Sequence, residues 1–420
     1  MCCRMRIGQI IFGRGNRAAS GEELGAEAVR WYMLCKLHRS TCIGTRLEIY
    51  DPKLPAQQDW KSTVACIPVT MAFTYVIWFW MRGGGLTMMK RLLVIACIAL
   101  LLALRVQAQE KDMTYAERLG WPKGARVLII HVDDAGMSLE SNEGAIAALT
   151  RGAATSVSVM MPCPWVPGFV RWLRGHPGID AGLHLTLTSE WADYRWVPLA
   201  GRKAVPGLTD STGCMWTSVG EVATHATPDE VATEIEAQLQ RARAMGFEPT
   251  HLDTHMGTVY ATPAFLQRYI QTGIKNHIPV MLPGGADRLI REEMNASDAL
   301  VAQLQALGKM LWNAGLPVLD DLHNFSYDWK VPDSVAHEDR KLQRYRAAEY
   351  IDALRRLQPG VTMMIMHCSD AGEHFTHISD SGPLRRGDML AMLDPAFRKA
   401  LQDEHIILTT WRELMQRRSR

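Results

Sequence analysis

Excess charge of either sign is missing from this chain. Its 46 lysines and arginines against 44 aspartates and glutamates leave a formal net charge of +2 over 420 residues. Nothing in that balance pulls it toward nucleic acid or another polyanion. Nucleotide signatures are lacking as well: there is no G-x-x-x-x-G-K and no G-x-G-x-x-G after a strand. Cysteine is scarce where it would matter. Six of the nine (Cys2, Cys3, Cys35, Cys42, Cys66, Cys97) lie in the first 97 residues, leaving only Cys163, Cys214 and Cys368. Three scattered thiols exclude a disulfide framework, and the absence of any C-x-x-C pair removes the usual mark of structural zinc. No internal repeat and no low-complexity tract appears.

Long apolar runs are confined to the front. Val64 to Met81 is uncharged and mostly apolar, just long enough to cross a bilayer. Then come Met88-Met89-Lys90-Arg91, an apolar stretch from Leu92 to Leu104, and Val106-Gln107-Ala108 before Gln109. That order of basic, apolar and small-residue regions is a secretory signal peptide, which belongs at a chain's start. The expectation is that translation begins at Met88 or Met89, with residues 1–87 an over-extended reading of the gene. The alternative is a membrane hairpin in that front segment. Residues 88–108 would be the leader and 109–420 a single catalytic domain, exported to a periplasmic or extracellular compartment.

What the remainder does have is a run of apolar strands ending in polar residues. Arg126 to Gly136 reads Arg-Val-Leu-Ile-Ile-His-Val-Asp-Asp-Ala-Gly. Its β-branched run suits a strand buried on both faces, as in a parallel sheet, whose ligands sit beyond the carboxyl ends of the strands. Asp133 and Asp134 stand there. Adjacent carboxylates repel, so a cation, a proton or solvent must compensate them. An Asx-capped turn leading into a helix would look the same, and the pair alone does not separate the two.

Further strands are expected at Thr155–Met161, Ile179–Thr188, Thr250–Thr254, Pro279–Leu282, Pro317–Asp320, Val361–Met366 and Ile406–Leu408. Helices are expected between them, including Ser138 to Leu149, Thr227 to Met245 with a capping threonine, Pro and Glu at its start, Ser297 to Trp312, Arg344 to Leu357, and Asp388 to Leu401. Seven or eight alternations argue for an α/β fold: a distorted (β/α) barrel, TIM-like and parallel-stranded. The irregular segment Ser189 to Thr227, with Trp191, Tyr194, Trp196 and Trp216, reads as a functional loop.

Polar residues thus collect at matching strand ends: Asp133, Asp134, His184, His255 and His367. Those ends converge on one mouth in a barrel. Two imidazoles with one carboxylate leave coordination positions open for water and substrate, and the second carboxylate is free to take a proton.

Taken together, Val-Asp-Asp-Ala-Gly followed by Asn142-Glu143-Gly144, Ala154-Thr155-Ser156, Gly182-Leu183-His184-Leu185 and Pro249-Thr250-His251-Leu252-Asp253-Thr254-His255 resemble the YdjC-like carbohydrate deacetylases. The likeness spans about Arg126 to Met415. It implies Asp134, His184 and His255 as ligands of a divalent ion, Mg²⁺ or Zn²⁺, with Asp133 as general base and His367 as general acid. The reaction implied is attack of water on a metal-polarised acetamide carbonyl, with release of the amine. His251 and Asp253, on the face of His255, would orient a ligand; Asp370, His374 and His377 would lie in a solvated loop. The expected partner is an N-acetylated small molecule or oligosaccharide, with no nucleic acid and no stable membrane insertion of the mature domain; a homodimer is left open. Two other readings compete: another metal-dependent hydrolase, such as a phosphoesterase, on the same barrel, and a carbohydrate-binding protein without turnover.

Overall fold

A computed structural model describes residues 113–293 and 295–420. The front segment 1–87, its apolar run and the expected leader 88–108 lie outside the described residues.

Ten residues of β1 (Arg126–Ala135) form the axis of the fold, buried from Val127 onward. The other strands are β2 (Ser156–Val159), β3 (Ala181–Leu185), β4 (Leu252–Thr254), β5 (Asp321–His323), β6 (Gly360–Met366) and β7 (Ile407–Leu408). All named pairings are parallel, in the order β4-β3-β2-β1-β6-β5, with β7 joined to β1. The lower half of β1 pairs with β7 through Val127 and Leu128, and the upper half with β2 from His131. Between the outer strands the path continues only as single bridges, Leu252 to Val280 and Pro283 to Leu319. The result is a distorted, incompletely zipped barrel.

Helices cover the outside: α1 (Leu139–Thr150), α2 (Val166–Gly175), α3 (Pro228–Ala244), α4 (Pro263–Asn276), α5 (Asp298–Asn313), α6 (Asp339–Arg356), α7 (Gly382–Leu393), α8 (Pro395–Asp403) and α9 (Trp411–Arg418). Their starts follow local chemistry. Ser138 caps α1, and Thr227 with Glu230 forms a capping box on α3. No helix among the described residues is long and apolar enough to cross a membrane.

Strand alternation sorts the core into two layers. Leu128, Ile130 and Val132 pack with the helices in the larger cluster, whereas Val127 and Ile129 join Val361, Met363, Ile365 and Trp411 in a smaller one inside the barrel. His131 and Asp133 continue the inward series, so the interior is apolar at its base and polar toward the carboxyl ends. Two buried aspartates fasten the base. The Asp320 carboxylate accepts the backbone N–H groups of Tyr115 (2.8 Å), Ala116 (3.0 Å) and Val361 (2.8 Å). Asp180 accepts those of Trp411 (3.1 Å) and Arg412 (2.9 Å), which start α9.

Three expected elements differ. The segment 279–282 supplies one bridge rather than a strand, because Pro279 and Pro283 have no N–H to donate to a ladder. The strand expected at Pro317–Asp320 sits later, at Asp321–His323, with only Leu319 bridged before it. The single helix expected over Asp388–Leu401 is two, since Pro395 ends α7 and opens α8 under the Asp394 cap.

Candidate metal centre

How two adjacent strand residues reach the same mouth is answered by the register of β1. Val132 pairs with Val157 and Ala135 with Val159, so Asp133 and Asp134 together face the single residue Ser158. This is a β-bulge, and Asp134 takes a left-handed φ of 66° to make it. Aspartate tolerates that region better than most residues, at a cost of about 1–2 kcal/mol. The bulge cancels the usual alternation and turns both carboxylates toward His184.

Asp134 Oδ1 lies 3.2 Å from His184 Nε2 and 3.3 Å from His255 Nδ1, and the two nitrogens are 3.3 Å apart. All three residues are buried, and Asp134 Oδ1 has no hydrogen-bond partner. An ion with bonds of about 2.0–2.1 Å in tetrahedral geometry separates its ligand atoms by about 3.3–3.4 Å, against about 2.9 Å for neighbouring octahedral ligands. The triangle therefore fits a small divalent ion.

Each imidazole is set by a carboxylate on its far side. His184 Nδ1 donates to Asp253 Oδ1 at 2.8 Å, a pairing fixed by register, since His184 and Asp253 face each other across β3 and β4. His255 stands just beyond β4, where Met256 (φ 52°) and Gly257 (φ 67°) turn the chain, and its Nε2 donates to Glu190 Oε1 at 2.9 Å. Carboxylate–histidine pairs of this kind hold the ring that faces a metal. Asp253 thus orients His184, a partner of a candidate ligand as expected from the sequence. His251 lies deeper, stacked on Trp411 with ring centroids 5.3 Å apart, in space left by Gly182, whose absent Cβ would fall 2.4 Å from the ring.

Asp133 and His367 complete the mouth. Asp133 Oδ2 is 3.8 Å from His184 Nε2 and 3.8 Å from His367 Nε2. The His367 backbone N–H donates to Asp388 at 3.0 Å, and Asp388 is ion-paired with the buried Arg346 of α6. Asp370 is paired with Arg386, and His374 and His377 are exposed in the following loop.

Sequence reading missed four contributors. Arg385 of α7 donates to Asp134 Oδ2 at 2.6 Å, from 251 residues away in the chain. Glu190 comes from the loop after β3, and Tyr327, with its ring 4.8 Å from His367, from the turn after β5. Inward parity with Asp133 was the available signal for the fourth, His131. Its Nε2 lies 2.8 Å from Asp253 Oδ2, 3.1 Å from Ser158 Oγ and 3.2 Å from Asp133 Oδ1. Trp191 flanks the other side, 6.4 Å from the His255 ring.

The charges are unequal. Against the carboxylates Asp133, Asp134, Glu190 and Asp253 stands the permanent cation Arg385, paired with Asp134. Burial pushes the Asp134 carboxyl up, but Arg385 and the two imidazoles close to Oδ1 outweigh it and hold the group well below the usual range. Burial alone would lower His255, yet Glu190 and Asp134 raise it to about 9. His184 is raised as well, by Asp133 and Asp253 against the same burial. Without an ion, the site collects protons in its place.

Comparison with known proteins places the chain among named relatives. The chain is similar to a carbohydrate deacetylase of Thermus thermophilus, 31% identical over 310 residues, which cover 72% of this chain and 99% of that protein. It is similar over a shorter stretch to a chitooligosaccharide deacetylase of Citrobacter koseri, 33% identical over 133 residues, 31% of this chain and 49% of that one. Among solved structures, an Enterococcus faecalis protein named for cellobiose-phosphate cleavage shares the fold, with a TM-score of 0.54 at 20% identity, covering 69% of this chain and 99% of that one. The sequence pattern described as YdjC-like protein matches residues 127–403, and with that match the chain belongs to the YdjC-like family.

Proposed function

We propose that this protein is a metal-dependent deacetylase that removes the acetyl group from an N-acetylated sugar or oligosaccharide. The observation that carries the reading is the triangle of Asp134, His184 and His255, with a carboxylate and a further imidazole side by side at its edge. The names of the relatives supply the substrate class.

Asp134, His184 and His255 would hold the ion, zinc or magnesium, with two imidazoles favouring zinc on softness. Such an ion, when bound, supplies Lewis acidity to the amide carbonyl and makes nearby water more acidic. Asp133 is the base: its Oδ2 faces the mouth and takes the proton of the attacking water. His367 Nε2, beside that oxygen, gives a proton to the amine as the C–N bond breaks, leaving acetate and a free amino sugar. Arg385 keeps Asp134 ionised and orients it. Trp191 and Tyr327 flank the entrance with aromatic rings suited to the C–H face of a pyranose.

The leader read in residues 88–108 puts this reaction in an exported compartment, which amino-terminal sequencing of the secreted protein checks. The activity is tested by acetate release from N-acetylglucosamine oligomers before and after chelation, with zinc and magnesium added back separately. Chelator-sensitive release supports the proposal; phosphate release from sugar phosphates without acetate release refutes it.

A further inference from the structure

One buried side chain is joined to both the proposed base and the partner of a proposed ligand. His131, fully enclosed in the barrel, places Nε2 2.8 Å from Asp253 Oδ2 and 3.2 Å from Asp133 Oδ1, with Ser158 Oγ at 3.1 Å. Asp253 Oδ1 in turn accepts from His184 Nδ1 at 2.8 Å, while Asp133 Oδ2 stands 3.8 Å from His184 Nε2. The four side chains close a ring: Asp133, His131, Asp253, His184 and back to Asp133.

A second ion among His131, His251 and Asp253 is the competing account, because their donor atoms also cluster and His251 Nε2 is buried without a partner. Distance separates the two. Nε2 to Oδ2 at 2.8 Å is a charge contact closer than the spacing of about 3.3 Å that two ligands of one tetrahedral ion keep, and the same Nε2 is hydrogen-bonded to Ser158 Oγ at 3.1 Å, a neutral partner that engages the nitrogen an ion would need.

We propose that His131 is a positioning residue whose Nε2 edge sets two carboxylates at once, Asp253 by the close charge contact and Asp133 both directly and through Ser158, whose Oγ donates to Asp133 Oδ1 at 3.4 Å. Its hold on Asp133 Oδ1 leaves Oδ2 aimed at the mouth beside His184 and His367. Its hold on Asp253 Oδ2 leaves Oδ1 to fix the His184 ring with Nε2 toward the ion. Base and ligand are thereby kept in one frame, which an apolar residue of equal size would fill without aligning. The inference rests on the deacetylase reading for its catalytic half and on the ion triangle alone for its metal half.

The test compares the full chain with His131→Phe, which keeps bulk without an N–H, and His131→Gln, whose amide can donate near the place of Nε2. Thermal unfolding establishes that each variant folds. At saturating zinc, His131→Phe is expected to lose about 100-fold in kcat with KM within about twofold, and His131→Gln to recover about tenfold of that loss. Zinc affinity, read by competition with a chromophoric chelator, should fall about tenfold in His131→Phe and less in His131→Gln, the size of effect seen when a ligand's orienting partner is removed. Zinc content should be one per chain in all three proteins.

Loss confined to KM, or a glutamine no better than phenylalanine in both readouts, overturns the positioning role. Two zinc ions per wild-type chain would overturn it in favour of the second ion. Should the wild type release no acetate from any N-acetyl sugar, the functional reading fails by itself, and zinc affinity still decides the part played by His131.

Discussion

Metal uptake at this site must expel protons, and the number can be worked from the structure. In the ion-free protein, His255 is raised to about 9, so at pH 7 its imidazole is protonated, and the carboxylates around His184 raise it in the same direction. Each must become neutral to donate its lone pair. For His255, two pH units below its pKa correspond to about 3 kcal/mol, or about 100-fold in apparent affinity. Calorimetric titration of chelated protein with zinc at pH 7, repeated in buffers of different ionisation enthalpy, should therefore report at least one proton released per ion, that of His255. Apparent affinity should rise with pH with a slope of at least one below about pH 9.

The sign for stability runs the other way. A pKa raised on folding stabilises the ion-free protein fully below about 6.5, and that contribution is lost as pH climbs through about 9. Melting temperature of the chelated protein should decline across that window, and saturating zinc should abolish the decline. Release of fewer than one proton per ion would refute the reasoning, because it would mean the ion binds without displacing the imidazole protons.

Other substitutions separate the roles of neighbouring groups. Asp133→Asn should cut kcat by about 100-fold to 10,000-fold while zinc content stays at one per chain, checked by elemental analysis; loss of the ion would show that Asp133 is a ligand instead. Arg385→Met leaves Asp134 buried without its guanidinium, so urea unfolding of the ion-free protein should show about 3–5 kcal/mol of lost stability, with a smaller loss when zinc is bound. Gly182→Ala drives a methyl against the His251 ring and should cost about 1–3 kcal/mol in the same assay, whereas Gly175→Ala, with open space around it, should cost little.

The strand-end residues were legible because a parallel barrel gathers the ends of its strands, so Asp133, Asp134, His184, His255 and His367 could be grouped before any coordinate was known. The bulge was not, since Asp-Asp reads the same whether its side chains diverge or converge, and only the extra residue opposite Ser158 decides it. Arg385 and Glu190 lie on a helix and a loop where a charged residue is the ordinary surface choice, and no local pattern distinguishes them. His131 was hidden differently: within five apolar neighbours it looks like an exception, although its spacing of two from Asp133 carried the answer. In the fold itself, the weak seam from 279 to 283 escaped because apolar composition was legible there and the missing donors of Pro279 and Pro283 were given too little weight.

The division of β1 between β7 below and β2 above has an implication for biosynthesis. Its lower edge is completed by Ile407 and Leu408, which leave the ribosome long after β1 does, and Trp411 then closes the base beneath His251. Until those last residues emerge, Val127 and Leu128 have an open edge on that side, so the nascent chain holds an unfinished and sticky strand. Shortening the protein before Ile407 should accordingly produce aggregates rather than a soluble, weakened enzyme.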